Sequence, residues 1–512
     1  MDSPVLNQLL RQLFRHPACQ SFKSSPALSA RRPGCVRLSP SSYSHHRQQC
    51  RHFFFKKLQA ATVSVKKPSN DGTIWNDRRF INRDISEELE RFPMVTAKEL
   101  RHHRERPRQV KMWGREFIDD SLYNYHYGYF SHHATIFSPG EPFVFNEIAD
   151  GPTFHKMLQE RYTELEDRLD EIEPDVARQL WHTPTELFQP YYGETIARYL
   201  VSNYKLTSYP YHDLIIYEMG AGNGTMMRNV LDYIRDADYE VYQRTKYKII
   251  EISPALATLQ MKNLVESAES AGHQDRLEII NRSIFDWNTY VHSPCYFLAL
   301  EVFDNFSHDI IRYNLKTEQP QQGGVLIDAD GEFHEWYRSN LDPVAARFLR
   351  VRQAAARRPF PSPLGSKYRR ALRPYLLADN QYSLPEYIPT RLMQFFDILN
   401  NYFPGHRLVA SDFSTLPDTV RGLNAPVVQT RYERRTIPVT TPYVQQGYFD
   451  IFFPTDFNVI EDMYRAITGK LTQVVSHEDF MQRWAYIGDT ETKNGENPML
   501  TWYKNASMMM TV

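Results

Sequence analysis

The sequence predicts an α/β protein built on an open, mostly parallel sheet flanked by helices, and three observations carry that expectation. The ten residues EMGAGNGTMM, Glu218 to Met227, join an apolar strand pattern, LIIY at Leu214 to Tyr217, to a helical pattern that begins at Met226. Three further strand patterns follow, TKYKIIE, RLEIIN and CYFLALEVFDNF, and they lead to Glu251, to Asp286, and to Glu301 with Asp304. Helical segments separate these strands, and such alternation with acids gathered at the strands' carboxyl ends describes a sheet of this kind.

The first strand-to-helix turn is the most informative element. Gly220, Gly222 and Gly224 stand at alternate positions, where a Cβ would fill space that a ligand needs or bar positive φ angles. The helix behind them offers unpaired N–H groups. A tight structural connection would use the same residues. The G-x-G-x-G spacing departs from the G-x-G-x-x-G of dinucleotide sites, which weighs against an NAD-dependent oxidoreductase. The second strand ends at Glu251, 27 residues past Gly224, a longer separation than the ~20 of the dinucleotide pattern. A carboxylate there is placed to accept both ribose hydroxyls of a nucleoside. Ser253 and Pro254 then read as the N-cap and first turn of a helix.

Composition bounds the rest. With 512 residues, 42% hydrophobic and 24% charged, the chain is ordinary globular material. A formal charge of -1 predicts no bulk attraction to nucleic acid. That sum hides an uneven distribution, because the first 70 residues hold twelve Lys or Arg and only Asp2 as an acid. This end is also rich in Ser, Gln and His, and it places Val5, Leu6, Leu9 and Leu13 on one helical face. Basic, acid-poor and amphipathic is the profile of a mitochondrial presequence, expected over residues 1–60 and disordered; a nucleic-acid-binding tail shares the composition. Residues 61–112 read as a polar tether with some helix, and 113–512 as one domain with insertions near 146–181 and 306–400. Cys19, Cys35 and Cys50 fall in the presequence, which leaves Cys295 as a core residue and no set for a zinc site. No apolar run reaches the ~18 residues of a membrane span. The first insertion reads as an amphipathic helix from Phe154 to Leu180. The second carries a two-strand signal around Asp330-Gly331 and then a basic stretch, Arg347 to Arg373, with nine Lys or Arg and no acid. That stretch fits a solvated helix face, or a docking face for an acidic partner or RNA.

Several ordered segments share a likeness. EMGAGNGT, IIEISPALATLQ and LEVFDNFSHD, preceded by YGYFSHHATIF (Tyr127 to Phe137) and HTPTELFQPYYGETIARYL (His182 to Leu200), resemble the MidA-like family of S-adenosylmethionine-dependent methyltransferases. GGVLIDADGEFHEW, RLVASDF (Arg407 to Phe413) and GYFDIFFPTDF (Gly447 to Phe457) fit more loosely, and the likeness covers roughly residues 112 to 460. GEPF at Gly140 to Phe143 and the insertion after it depart from the family pattern.

The resemblance implies a class I methyltransferase fold with helical insertions, S-adenosylmethionine as cofactor and no metal. It also implies a mitochondrial matrix enzyme that methylates arginine in a protein substrate, a respiratory complex I subunit, during assembly. The alternative it leaves is a non-catalytic assembly chaperone retaining the cofactor fold. In this reading Gly220, Gly222 and Gly224 receive the methionine and sugar portion, Glu218 the methionyl amino group, Glu251 the ribose and Asp286 the adenine amino group. Glu301 and Asp304 are the catalytic candidates, a carboxylate pair able to hold an arginine's fork of N–H donors. Glu194, beside Tyr191 and Tyr192, is expected to close the mouth from above, although a capping or ion-pair role suits it too.

Overall fold

The computed structural model describes residues 85–132, 134–175, 177–252, 257–258, 272–365, 370 and 381–512. The presequence, the first part of the tether, the helix start at Ser253-Pro254 and part of the basic stretch lie outside the described residues.

Seven strands form the central sheet: β1 (Leu214–Met219), β2 (Thr245–Glu251), β3 (Leu277–Asn281), β4 (Cys295–Leu300), β5 (His406–Phe413), β6 (Thr472–Ser476) and β7 (Ala506–Thr511). Their order is β3-β2-β1-β4-β5-β7-β6. Strands β1 to β5 pair in parallel, and β7 runs antiparallel to both β5 and β6. Both faces are covered. On one, Ile216, Tyr247, Ile249 and Leu298 pack with Ile196 and Leu200 of helix α1 (Tyr191–Thr207) and Val230 and Leu231 of α2 (Thr225–Ala237). On the other, Tyr217, Met219, Phe297 and Ala299 meet Phe395, Phe396 and Leu399 of the helix Thr390–Tyr402. Burial on two faces is why LIIY and YFLAL are continuous apolar runs rather than alternating ones. Cys295 is a buried core residue of β4, and burial pushes its thiol up to about 12.

The two insertions differ in kind. Near 146–181 stands the amphipathic helix Gly151–Ile172, capped by Asp150, whose carboxylate accepts the Thr153 N–H at 2.8 Å. It buries Phe154, Leu158 and Tyr162, spaced four apart. The insertion near 306–400 is corrected from helical to mainly sheet. The strands Asp309–Tyr313, Pro320–Ile327, Phe333–Arg338 and Glu386–Ile388 form an antiparallel array, with Pro343–Ala355 and Thr390–Tyr402 as its helices. The hairpin around Asp330-Gly331 is present, with Gly331 at φ +90°. The β-branched runs DII and VLI favour strand, and the array offers them a buried sheet to join. The fifth strand of this array, Val110–Trp113, comes from the stretch expected to be a tether. Leu100, Val110 and Met112 are buried, so residues 85–112 are packed rather than loose.

Five cations of the basic stretch are paired within the molecule, which neither expected reading included. Arg347 pairs with Asp397 at 2.5 Å, Arg352 with Glu386 at 2.5 Å, Arg357 with Asp462 at 2.6 Å, Arg358 with Glu461 at 2.8 Å and Arg370 with Glu318 at 2.9 Å. Every one of these acids comes from a distant segment, outside the window in which the charge imbalance was read.

Candidate cofactor and acceptor site

The sheet order reverses between β1 and β4, so the loops after these two strands diverge and open a crevice at their carboxyl ends. Gly220, Gly222 and Gly224 follow β1 at φ +72°, +54° and +81°, a region closed to most side chains. Gly224 is the N-cap of α2, and its N–H donates to the Ala221 carbonyl at 2.8 Å, which turns the chain tightly into the helix. A Cβ on Gly222 would come within 2.6 Å of Ile136 Cδ1. The loop is therefore glycine main chain bordered by the aliphatic side chains of Ile136 and Val302, a cradle that suits the methionyl and sugar part of S-adenosylmethionine.

Two acids stand beside the cradle. Glu218, buried at the end of β1, accepts the Tyr247 hydroxyl at 2.8 Å, and burial pushes its carboxyl up to about 7. Glu251, buried at the end of β2, lies near enough for its charge to act on Glu218. Its main-chain carbonyl accepts Asn281 Nδ2 at 2.9 Å and the Arg282 N–H at 3.0 Å, which ties the end of β3 to that of β2. Asp286 is placed differently from the expectation. Its Oδ2 accepts Arg101 Nη1 at 2.6 Å, so the N-terminal segment already engages the carboxylate assigned to adenine. The partner lies 185 residues away, beyond the reach of any local motif.

Across the crevice, Glu301 follows β4 with φ +54°, a left-handed conformation that a non-glycine residue adopts only at a cost. Its N–H donates to the Ser411 carbonyl at 2.8 Å. Burial, then the charges of Asp304 and Asp412, raise its carboxyl well above the usual range. Asp412, at the end of β5, organises this turn. Its Oδ2 accepts the N–H groups of Phe303 at 2.8 Å and Asp304 at 3.1 Å, and its Oδ1 accepts that of Phe413 at 2.7 Å. Asp304 is buried, its pKa is raised by that burial, and its Oδ1 has no hydrogen-bond partner. Asp450 completes the group. It accepts Asn305 Nδ2 at 3.3 Å, and burial followed by the charge of Asp304 pushes its carboxyl up to about 8. Among the described residues none of these four acids forms an ion pair. The Tyr123 hydroxyl donates to the Asn305 carbonyl at 3.0 Å, where it feels Asp304, Asp450 and Glu251 together. This tyrosine thus stands between the two halves of the crevice.

Glu194 does not join Glu301 and Asp304. The charges that act on it are those of Asp489, Arg198 and Asp236, whereas Glu301 acts on Tyr192, two residues earlier. At 3.6 residues per turn, positions two apart point to nearly opposite sides of α1. The face of YYGE turned to the site is therefore that of Tyr192.

Asp412, Asp450 and Glu186 escaped the sequence reading. Asp412 carries the same signal as the acids that were chosen, an acid ending a parallel strand, and it lies within RLVASDF. Glu186 lies within HTPTE and is fully buried. Its Oε1 accepts the Thr225 hydroxyl at 2.7 Å and Asn223 Nδ2 at 3.1 Å, which braces the glycine loop from outside. Glu186→Ala is expected to weaken S-adenosylhomocysteine binding about tenfold in calorimetry. Glu186→Gln, which keeps an acceptor oxygen, should restore most of that loss. Wild-type affinity in the alanine variant would remove Glu186 from this role.

A seven-stranded sheet of this order, with a bare glycine turn and a ribose-height acid on one side of the switch point and buried carboxylates on the other, defines a class I S-adenosylmethionine-dependent methyltransferase. Residues 195–476 match a family model described as "Putative S-adenosyl-L-methionine-dependent methyltransferase". The chain belongs to this family, and S-adenosylmethionine is its cofactor. Among curated relatives, "Protein arginine methyltransferase NDUFAF7 homolog, mitochondrial" of Schizosaccharomyces pombe is 25% identical over 61% of this chain and 67% of its own. The Saccharomyces cerevisiae protein of the same name is 23% identical over 62% and 78%. Among solved structures, a Burkholderia thailandensis protein bound to S-adenosyl-homocysteine aligns at TM-score 0.49 and 15% identity, covering 78% of this chain and 88% of that one. Among the described residues no helix is long and apolar enough to cross a membrane, and no group of three His, Cys, Asp or Glu is arranged to hold a metal ion.

Proposed function

We propose that this chain is a mitochondrial matrix protein arginine methyltransferase that modifies a subunit of respiratory complex I during assembly. The observation that carries the reading is a set of four carboxylates without an ion-pair partner among the described residues, of which Asp304 and Asp412 are buried and Glu301 and Asp450 are half-buried. Carboxylates whose pKa is raised by desolvation and by one another's charge favour the protonated form until a positive guest arrives, and a guanidinium with its fork of donors is such a guest. The names of the two fungal relatives, the basic acid-poor N-terminus and the likeness to the MidA-like family support the same conclusion.

S-adenosylmethionine supplies an activated methyl group on sulfur. The residues of the chain bind and orient. The glycine loop takes the methionyl and sugar portion, Glu218 the methionyl amino group and Glu251 the ribose hydroxyls. Asp286 reaches adenine once Arg101 shares or releases it. Glu301 and Asp304 hold the guanidinium, aim one nitrogen lone pair at the methyl carbon and accept the proton that nitrogen loses. Mass spectrometry of mitochondrial proteins with and without this gene tests the reading: one or more methylated arginines should disappear from a complex I subunit, and an unchanged arginine methylation pattern would overturn it. The Arg101–Asp286 pair also favours a second reading, a chaperone without methyl transfer. Absence of S-adenosylhomocysteine binding in calorimetry would select it.

The acids imply a pH dependence. Because the carboxyl of Asp450 is raised on folding, the stability linked to its proton is present below the ordinary carboxylate pKa near 4 and is lost as pH rises through about 8. Asp450→Asn is therefore expected to stabilise the ligand-free protein at pH 8.5 by on the order of 2 kcal/mol and to change little at pH 5. Thermal denaturation at the two pH values checks this, and equal shifts at both would contradict it.

A further inference from the structure

The geometry points to a second binding site, which takes a main-chain carbonyl oxygen of the polypeptide acceptor, in a cavity of about 50 Å³ lined by Tyr162, Trp181, Arg431, Thr436 and Asp450 among others. The inference rests on the proposed arginine-methylating function and adds a substrate-recognition site to it. The cavity has room for a carbonyl group or roughly three waters.

Its chemistry is set by donors. Trp181 Nε1, Thr436 Oγ1 and Arg431 Nε are buried and have no hydrogen-bond partner. Arg431 and Thr436 are only 4% and 7% exposed. Buried polar groups nearly always find partners, so three orphaned donors around one cavity call for an acceptor oxygen. Neighbouring groups do not supply it. The Tyr162 hydroxyl is engaged with His182 Nδ1, and Gln179 spends its amide on the Arg431 main chain.

Charge selects which acceptor. The Arg431 guanidinium is already neutralised by Glu166 on the helix Gly151–Ile172. Asp450 brings an acid to the rim, which disfavours a carboxylate or phosphate guest. A neutral carbonyl meets the donors at no charge penalty. Asp450 also joins this cavity to the acid group, because Asn305 bridges from it toward the turn that holds Asp304. A polypeptide whose cationic side chain enters between Glu301 and Asp304 thus has its backbone led toward Trp181 and Thr436. Tyr162 and Trp181 belong to the insertion or its end, so the added segment is the part that recognises the substrate chain.

The test compares two guanidines by calorimetry on the full chain loaded with S-adenosylhomocysteine: n-butylguanidine, which has no carbonyl, and N-acetyl-arginine amide, which has two. The amide is expected to bind about tenfold more tightly. Trp181→Phe combined with Thr436→Val should abolish that preference and leave butylguanidine affinity unchanged. Equal affinities in the wild type, or a preference that survives in the double variant, would overturn the assignment. The latter result, accompanied by an unchanged or raised Tm, identifies the cavity as holding water alone, since apolar isosteres of orphaned donors are neutral or stabilising. If neither guanidine binds while S-adenosylhomocysteine does, the arginine reading itself fails and takes this site with it. Butylguanidine binding without a preference sinks the carbonyl site alone.

Discussion

Glu301→Ala is expected to lower methyl transfer by at least about a thousandfold while S-adenosylhomocysteine still binds within roughly twofold of wild type. The asymmetry follows from position. Glu301 stands on the β4 side of the switch point, whereas the cradle for the cofactor is built after β1 and β2. Its backbone is held at φ +54° by the hydrogen bond to Ser411 and by the neighbouring turn that Asp412 braces. Strain retained at such a position identifies a side chain whose direction matters. Glu301→Asn, which tolerates left-handed backbone better, separates the two contributions. It should recover thermal stability but not turnover. A tritiated-methyl assay showing wild-type rates for either variant would remove Glu301 from the chemistry.

Gly222→Val acts on the other half of the crevice. A Cβ there meets Ile136 Cδ1 at 2.6 Å, and φ +54° is a conformation that β-branched residues avoid. Ile136 is the end of a flexible side chain and can yield. The backbone angle and the volume of two methyl groups cannot. Cofactor affinity is expected to fall by more than about a hundredfold, because the ligand would have to displace side-chain atoms from the surface it rests on. Adding Ile136→Ala should relieve the contact and raise Tm without restoring binding. Calorimetry giving wild-type affinity for Gly222→Val would show that the glycine loop is only a tight connection.

Sequence reached the cofactor half of the site far better than the acceptor half. Gly220, Gly222 and Gly224 sit within five residues, so the chemistry and the turn that presents it are written in one window. Strands β1 and β4 were legible because burial on both faces makes them continuous apolar runs, and β2 and β3 because each carries a short run of isoleucines ahead of a polar strand end. Strands β6 and β7 were not, since TQVVS is short and ASMMMT relies on methionines, which have no marked preference for strand. Glu194 and Tyr192 share one motif, and only the rotation of the helix decides which of them faces the crevice. The basic residues of 347–373 read as a charge run in the sequence, and acids from 318, 386, 397, 461 and 462 are brought against five of them.

What the sequence by itself determined is the α/β class, the bare turn after the first strand and the acids that end successive parallel strands, because each depends on neighbours along the chain. Tertiary structure alone decided that Asp412 and Asp450 join Glu301 and Asp304, that Arg101 takes Asp286, and that Glu186 braces the loop. The physical reason is reach. A hydrogen bond or a shared desolvated space binds groups within a few ångströms, and the partners that tertiary structure brought together are separated by 37 to 185 residues of chain.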